Sequence, residues 1–258
     1  MSRGKWLLRR PGGEAASRLF LFPYSGLGAS MYNRWPASVG GAEVCAVQFP
    51  GRENRIREPH YGTYEELAAN VAEGLLPYLD RPFGFFGHCG GALPAFATAL
   101  HLFKEGLPTP DWLFLSSQVS PHDGPFGRWL GLNEDELRVE LELFFAKLGA
   151  QPDPDIIEMG LGVLIDDLEA NKKYHLDEPV EMPSALHAIG WDVDKEIRPE
   201  QMGGWERYAA EGRSHSAILP GDHHTFLGAP EGLLQVLADA MALGATEDGT
   251  EGTGERLA

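Results

Sequence analysis

Phe83-Gly84-Phe85-Phe86-Gly87-His88-Cys89-Gly90-Gly91-Ala92-Leu93-Pro94-Ala95-Phe96-Ala97 decides how this chain folds. An apolar run of strand character meets a Gly-x-Cys-x-Gly turn, and an apolar helical run follows. Strand, sharp turn and helix are the parts of a nucleophile elbow. The outer glycines, Gly87 and Gly91, let the turn pass close to its neighbours. The central side chain is then pushed above the sheet, at the mouth of the helix. Such elbows usually carry serine at their centre, and here it is Cys89. The expected chemistry is acyl transfer through a thiolate.

Working outward, Trp6-Leu7-Leu8 and Leu19-Phe20-Leu21-Phe22 read as short strands split by the Pro11-Gly12-Gly13 turn. Val44 to Phe49 is a third, stopped by Pro50-Gly51. Leu67, Val71, Leu75 and Leu79 recur at four-residue spacing, which predicts a helix from Tyr64 to Leu79. Trp112 to Ser116, His187 to Gly190 and Ala217 to Leu219 are further strands, with the elbow helix ending near Lys104. Apolar strands alternating with helices imply an α/β fold, with a mostly parallel central sheet covered on both faces. Pro94 lacks an N–H in the second turn of the elbow helix, which predicts a local distortion there.

Between about 121 and 183 the alternation stops, and only helical pattern remains. Asn133 with Glu136 marks a helix start, and Leu137, Leu141, Phe144, Phe145 and Leu148 mark one face. Ile156, Ile157, Leu161, Leu164, Ile165 and Leu168 mark another helix. The stretch reads as an inserted helical lid over the active site, or as an ordinary pair of packing helices. Residues 1–243 are expected to form one α/β domain. The polar, Gly-rich residues 244–258 are expected to be a disordered tail.

The formal charge is −17, from 21 basic and 38 acidic side chains. This argues against nucleic acid or an anionic membrane as the main partner. No apolar run approaches the ~20 residues needed to span a bilayer, and the first residues lack a signal core. Two cysteines make no disulfide framework, and a free thiol suits the cytoplasm.

A thiol nucleophile needs a base, and the base needs an orienting acid; in this fold they follow in the order nucleophile, acid, histidine. Asp194, with Asp192 as its competitor, follows one expected strand, and His223, with His224 beside it, follows the last. A thiol at a helix N-terminus beside a histidine has a lowered pKa. Cys45, inside an apolar strand, reads as a small core residue, and His88 as a packing and hydrogen-bonding residue. Arg52, Arg55 and Arg57 form a basic cluster that either steers an acidic partner or is a solvated loop. His215, His223 and His224 lack the accompanying ligands of a zinc site, and no metal is expected.

Phe22-Pro23-Tyr24-Ser25-Gly26-Leu27-Gly28-Ala29-Ser30, Val47-Gln48-Phe49-Pro50-Gly51-Arg52-Glu53, Arg81 to His88 and Pro220-Gly221-Asp222-His223 stand in order along the chain. In these motifs the chain resembles type II thioesterases, the stand-alone α/β-hydrolases that serve polyketide synthases and nonribosomal peptide synthetases. The resemblance runs from about Trp6 to Leu233 and is weakest in the lid. It implies acyl or aminoacyl thioesters carried on the phosphopantetheine of acyl or peptidyl carrier protein domains, with no bound cofactor and a monomeric protein. It also implies an oxyanion hole from the backbone N–H groups of Ser25 and Gly90, each donor worth roughly 3 kcal/mol. Tyr24, Phe126, Trp129, Phe144 and Phe145 are expected to shape the substrate chamber.

The family usually has serine at position 89, a bulky residue at 90 and alanine at 25; this chain departs at all three. Transfer from a pantetheine thioester to serine is downhill, whereas transfer to Cys89 gives another thioester of nearly equal energy. Hydrolysis through a Cys89 acyl-enzyme is the leading expectation. Acyl or aminoacyl transfer to a second thiol or amine is its alternative, and a non-catalytic carrier-protein binding module is the other.

Overall fold

A computed structural model describes residues 6–147, 149 and 153–247. Seven strands form one sheet in the order β2-β3-β1-β4-β5-β6-β7. They are β1 Ser17–Phe22, β2 Ser38–Val39, β3 Ala42–Ala46, β4 Phe83–His88, β5 Trp112–Ser116, β6 Ala185–Trp191 and β7 Ser214–Leu219. Every pairing is parallel except β2 with β3. All six residues of β4 and all five of β5 are buried, as expected of central strands covered on both faces.

The strand expectations hold in outline, with differences at the start of the chain. Trp6 to Leu8 is no strand; Leu7 makes one isolated bridge to Val47. The Pro11-Gly12-Gly13 break and the short apolar run leave nothing longer to pair. β2 was not foreseen. Gly40 and Gly41, at φ of 57° and 84°, turn it tightly back onto β3, a conformation that glycine reaches without strain.

Among the described residues, five α-helices complete the frame: α1 Tyr64–Leu75, α2 Ala92–Lys104, α3 Glu134–Lys147, α4 Pro154–Lys173 and α5 Glu231–Glu247. The Thr63 side chain caps α1 by accepting from the Glu66 N–H at 3.2 Å. Asn133 and Glu136 close the expected reciprocal cap at α3, with bonds of 2.9 and 3.1 Å. Leu148 lies outside the described residues. α5 runs to Glu247, so helix continues into the stretch read as a disordered tail; 248–258 lie outside the described residues.

The apolar faces of α3 and α4 bury Leu137, Leu141, Phe144, Leu161, Leu164 and Leu168 in one cluster with Tyr24 and Trp129. Pro94 brings no break. Cys89–Gly91 forms a 3₁₀ turn, α2 begins at Ala92, and Pro94 sits in its first turn. A missing N–H there removes no intrahelical bond.

Candidate active site

The elbow takes the shape its residues dictate. Cys89 sits at φ 47°, the strained left-handed region, between extended His88 and α2. A Cβ on Gly87 would lie 2.2 Å from the Gly91 carbonyl oxygen; one on Gly91 would lie 2.6 Å from that of Phe22. No larger residue fits either place. Cys89 is partly exposed, whereas Cys45 is buried in β3, where burial pushes its thiol up to about 12.

His223 is brought to this turn from beyond β7. Its Nδ1 pairs with Asp194 Oδ2 at 2.8 Å, and its Nε2 lies 3.3 Å from the Tyr24 hydroxyl. Burial disfavours the imidazolium, but the Cys89 charge, the bond to Asp194 and contact with Cys89 outweigh it, raising His223 to about 10. Asp194 also accepts from the Ser117 hydroxyl at 2.8 Å and from the N–H groups of Glu196 and Ile197. Burial works against its charge, yet these donors and His223 hold the carboxyl below its usual range.

The competitors of both residues face elsewhere. Asp192 is exposed and accepts from the Gly221 N–H at 2.8 Å. His224 Nδ1 lies 3.0 Å from Lys147 Nζ, and burial with the nearby His223 charge lowers the ring to about 4. His88 is fully buried, stacks on Phe226 at 3.8 Å and shares a hydrogen bond with Ser116 Oγ. His215 stacks on His187 at 4.6 Å. Among the described residues no group of three or more His, Cys, Asp or Glu side chains is placed to hold a metal.

Ser25 and Gly90 lie side by side. A Cβ on Gly90 would stand 3.1 Å from Ser25 N and 1.9 Å from Ser25 Oγ. The Ser25 side chain therefore occupies the space a larger residue 90 would need.

Beyond Cys89 lies a narrow pocket that opens to solvent. Tyr24, Phe126, Trp129, Leu130, Leu168 and Ile197 form its apolar lining, with Gln118, Asn171, Arg128 and Glu196 among the polar residues. α4 thus borders the site through Leu168 and Asn171. Phe144 and Phe145 are not among the lining residues. Phe144 stacks on the far partner Tyr24 at 5.7 Å, and Phe145 packs against the same apolar cluster.

The basic cluster also reads differently in three dimensions. Arg52 and Arg55 are only 4% and 6% exposed, so neither can steer a partner; Arg57 alone of the three is exposed. Arg52 makes a bidentate pair with Asp167 of α4, both bonds 2.8 Å. Asp167 also accepts from Tyr61 at 2.7 Å and from the Gly26 N–H at 2.7 Å, and pairs with His60 at 2.8 Å. Burial opposes its charge, but Arg52 and these bonds keep the carboxyl well below its usual range. α4 is thereby tied to the loop that carries Ser25. Asp167 and Asn171 were not foreseen, although both fall at helical spacing on the apolar face of Leu161, Leu164 and Leu168. Polar residues on an otherwise apolar stripe were the available signal.

A mostly parallel sheet, a strained elbow with a thiol at its centre and a histidine–carboxylate pair define the α/β-hydrolase class. The thioesterase domain family matches residues 17–241, and the chain belongs to that family. It is 32% identical over 255 residues to linear gramicidin dehydrogenase LgrE of Brevibacillus parabrevis, covering 93% of this chain and 94% of that one. It is 31% identical over 235 residues to gramicidin S biosynthesis protein GrsT of Aneurinibacillus migulanus, covering 85% and 87%. Among solved structures, the type II thioesterase BorB from the borrelidin biosynthetic cluster superposes with a TM-score of 0.78. That likeness covers 93% of this chain and 99% of BorB at 24% identity, and it speaks for the fold alone.

Proposed function

We propose that this thioesterase releases acyl or aminoacyl groups from the phosphopantetheine of acyl or peptidyl carrier proteins by hydrolysis through a Cys89 acyl-enzyme. The setting is polyketide or nonribosomal peptide biosynthesis. The observation that carries the reading is Cys89 at φ 47° on the rim of a lined pocket, coupled to a His223–Asp194 pair. The gramicidin proteins among its relatives support the biosynthetic setting.

In the first half-reaction the Cys89 sulfur attacks the thioester carbonyl as a thiolate facing the His223 imidazolium. A bond forms from sulfur to the acyl carbon, and its oxygen takes the negative charge. The N–H groups of Ser25 and Gly90 hold that oxyanion. The carbon–sulfur bond to pantetheine then breaks, and the departing thiolate takes the proton from His223 Nε2. Asp194 keeps the Nδ1 proton in place and orients the ring. In the second half-reaction neutral His223 removes a proton from water at Nε2, the oxygen attacks the acyl carbon, and Cys89 leaves as thiolate.

A second reading rests on the sulfur itself. An acyl-Cys89 thioester is close in energy to the donor, so another thiol or an amine can take water's place. Incubation of the protein with acyl-loaded carrier, with and without an empty second carrier, separates the two by intact-protein mass. Free acid with no loading of the second carrier establishes hydrolysis; loading of the second carrier establishes transfer. Neither product, with no adduct on Cys89, leaves a carrier-binding module and contradicts the proposal.

A further inference from the structure

Two polar side chains lining the pocket have atoms without a partner. Gln118 is 1% exposed, and its Nε2 makes no hydrogen bond. Its Oε1 accepts from the Val119 N–H at 2.9 Å, which fixes the amide's orientation and leaves the NH₂ as a free donor. The backbone there is held too, since Trp205 Nε1 donates to the Gln118 carbonyl at 2.7 Å. Asn171 is 4% exposed, and its Oδ1 likewise has no partner. Gln118 follows β5 on the sheet side, whereas Asn171 projects from α4 on the lid side. Both line the space that opens on Cys89.

A purely hydrocarbon acyl chain would leave both atoms buried and unmatched, which costs far more than an exposed mismatch. An ammonium matches Asn171 Oδ1 but has no acceptor for Gln118. A carboxylate matches Gln118 but has no donor for Asn171. The group that satisfies both is neutral and both donates and accepts, as a hydroxyl or an amide does.

We infer that Gln118 and Asn171 form a subsite for an acyl group bearing a hydroxyl or amide, so that the protein selects such acyl groups over plain alkyl ones. This rests on the reading of the pocket as the acyl site of a thioesterase. The apolar walls of Phe126, Trp129, Leu168 and Ile197 enclose the carbon chain, and the two amides read its polar substituent. The pantetheine arm also carries amides, so the same chemistry has a second source.

The test compares butyryl-, 3-hydroxybutyryl- and N-acetylglycyl-pantetheine as substrates; the arm is common to all three and cancels in the ratios. The wild-type kcat/KM for at least one polar acyl group exceeds that for butyryl by about tenfold or more. Gln118→Glu keeps the acceptor for Val119 and removes the donor; Asn171→Leu removes the acceptor. Each variant brings the ratio close to one. A butyryl rate equal to or above both polar rates in the wild type overturns the inference, as does a polar preference that neither variant moves. Butyryl thioesters of pantetheine and of ethanethiol form the second arm. Variants that erase only the preference for pantetheine over ethanethiol assign the pair to the arm and overturn the acyl assignment. Cleavage of none of the thioesters instead contradicts the thioesterase reading itself.

Discussion

Ser25 Oγ stands 1.9 Å from the point that a Cβ on Gly90 would occupy. The serine at 25 and the glycine at 90 are therefore one structural unit. The hydroxyl fills the space left by the missing side chain, and the missing side chain makes room for the hydroxyl.

Gly90→Ala should consequently lower kcat/KM by tenfold or more, since the new methyl group displaces the Ser25 hydroxyl and crowds the Ser25 N–H proposed to hold the oxyanion. Ser25→Ala should cost little by itself and should restore part of the loss when combined with Gly90→Ala. A double-mutant cycle on kcat/KM is expected to show coupling of about 1 kcal/mol or more. Additive effects would contradict the shared space.

Asp167 carries the second prediction. Arg52, Tyr61, His60 and the Gly26 N–H all converge on its buried carboxylate. Asp167→Ala leaves the Arg52 guanidinium buried without its partner. It should cost about 3–5 kcal/mol in denaturant unfolding, as breaking one side of a buried pair does. In the fraction that remains folded, kcat should fall more than KM rises, because the loop next to Ser25 loses its anchor. Unfolding free energies within 1 kcal/mol of wild type, on an order-of-magnitude scale, would contradict the account.

The third prediction concerns protons. His223 is raised to about 10, above the ordinary imidazole value of roughly 6.5. A raised folded value means stabilisation that is complete below the unfolded value and fades as pH climbs toward 10. The Cys89 charge is among its causes, so Cys89→Ala should move the titration of His223 downward. NMR of the ring carbon-bound protons follows this directly. The wild-type His223 signal should stay flat across neutral pH and move only in the alkaline range. An inflection near neutrality in the wild type, unchanged in Cys89→Ala, would contradict the coupling.

Much of the fold was legible because its signals are local. The elbow glycines, the Asn133–Glu136 cap and the apolar periodicity of the lid helices each act over a few residues. The strand of Leu7 failed because a strand needs a partner of matching length, and only Val47 bridges to it. Arg52 and Arg55 read as surface because three arginines lie close together in sequence; the Arg52 partner Asp167 comes from a distant segment, and Arg55 turns inward onto the Gln48 carbonyl. Phe144 and Phe145 illustrate the same limit. Periodicity placed them on a buried face, but whether that face borders the pocket depends on Tyr24, which stands between Phe144 and the site. Asp194 and His223 were legible as positions after strands. The preference for them over Asp192 and His224 rests on the motif alone, because side-chain direction in two adjacent loops is not written in the sequence.

The proposed mechanism requires the sulfur of Cys89 to take the acyl group. Its most direct measurement is the intact mass of the protein after brief exposure to an acyl-loaded carrier, for wild type and Cys89→Ala. The wild type should gain the mass of the acyl group, mapped to the peptide containing Cys89, and Cys89→Ala should gain nothing and release no acid. Acid release at the wild-type rate by Cys89→Ala, without an adduct in either protein, would contradict it.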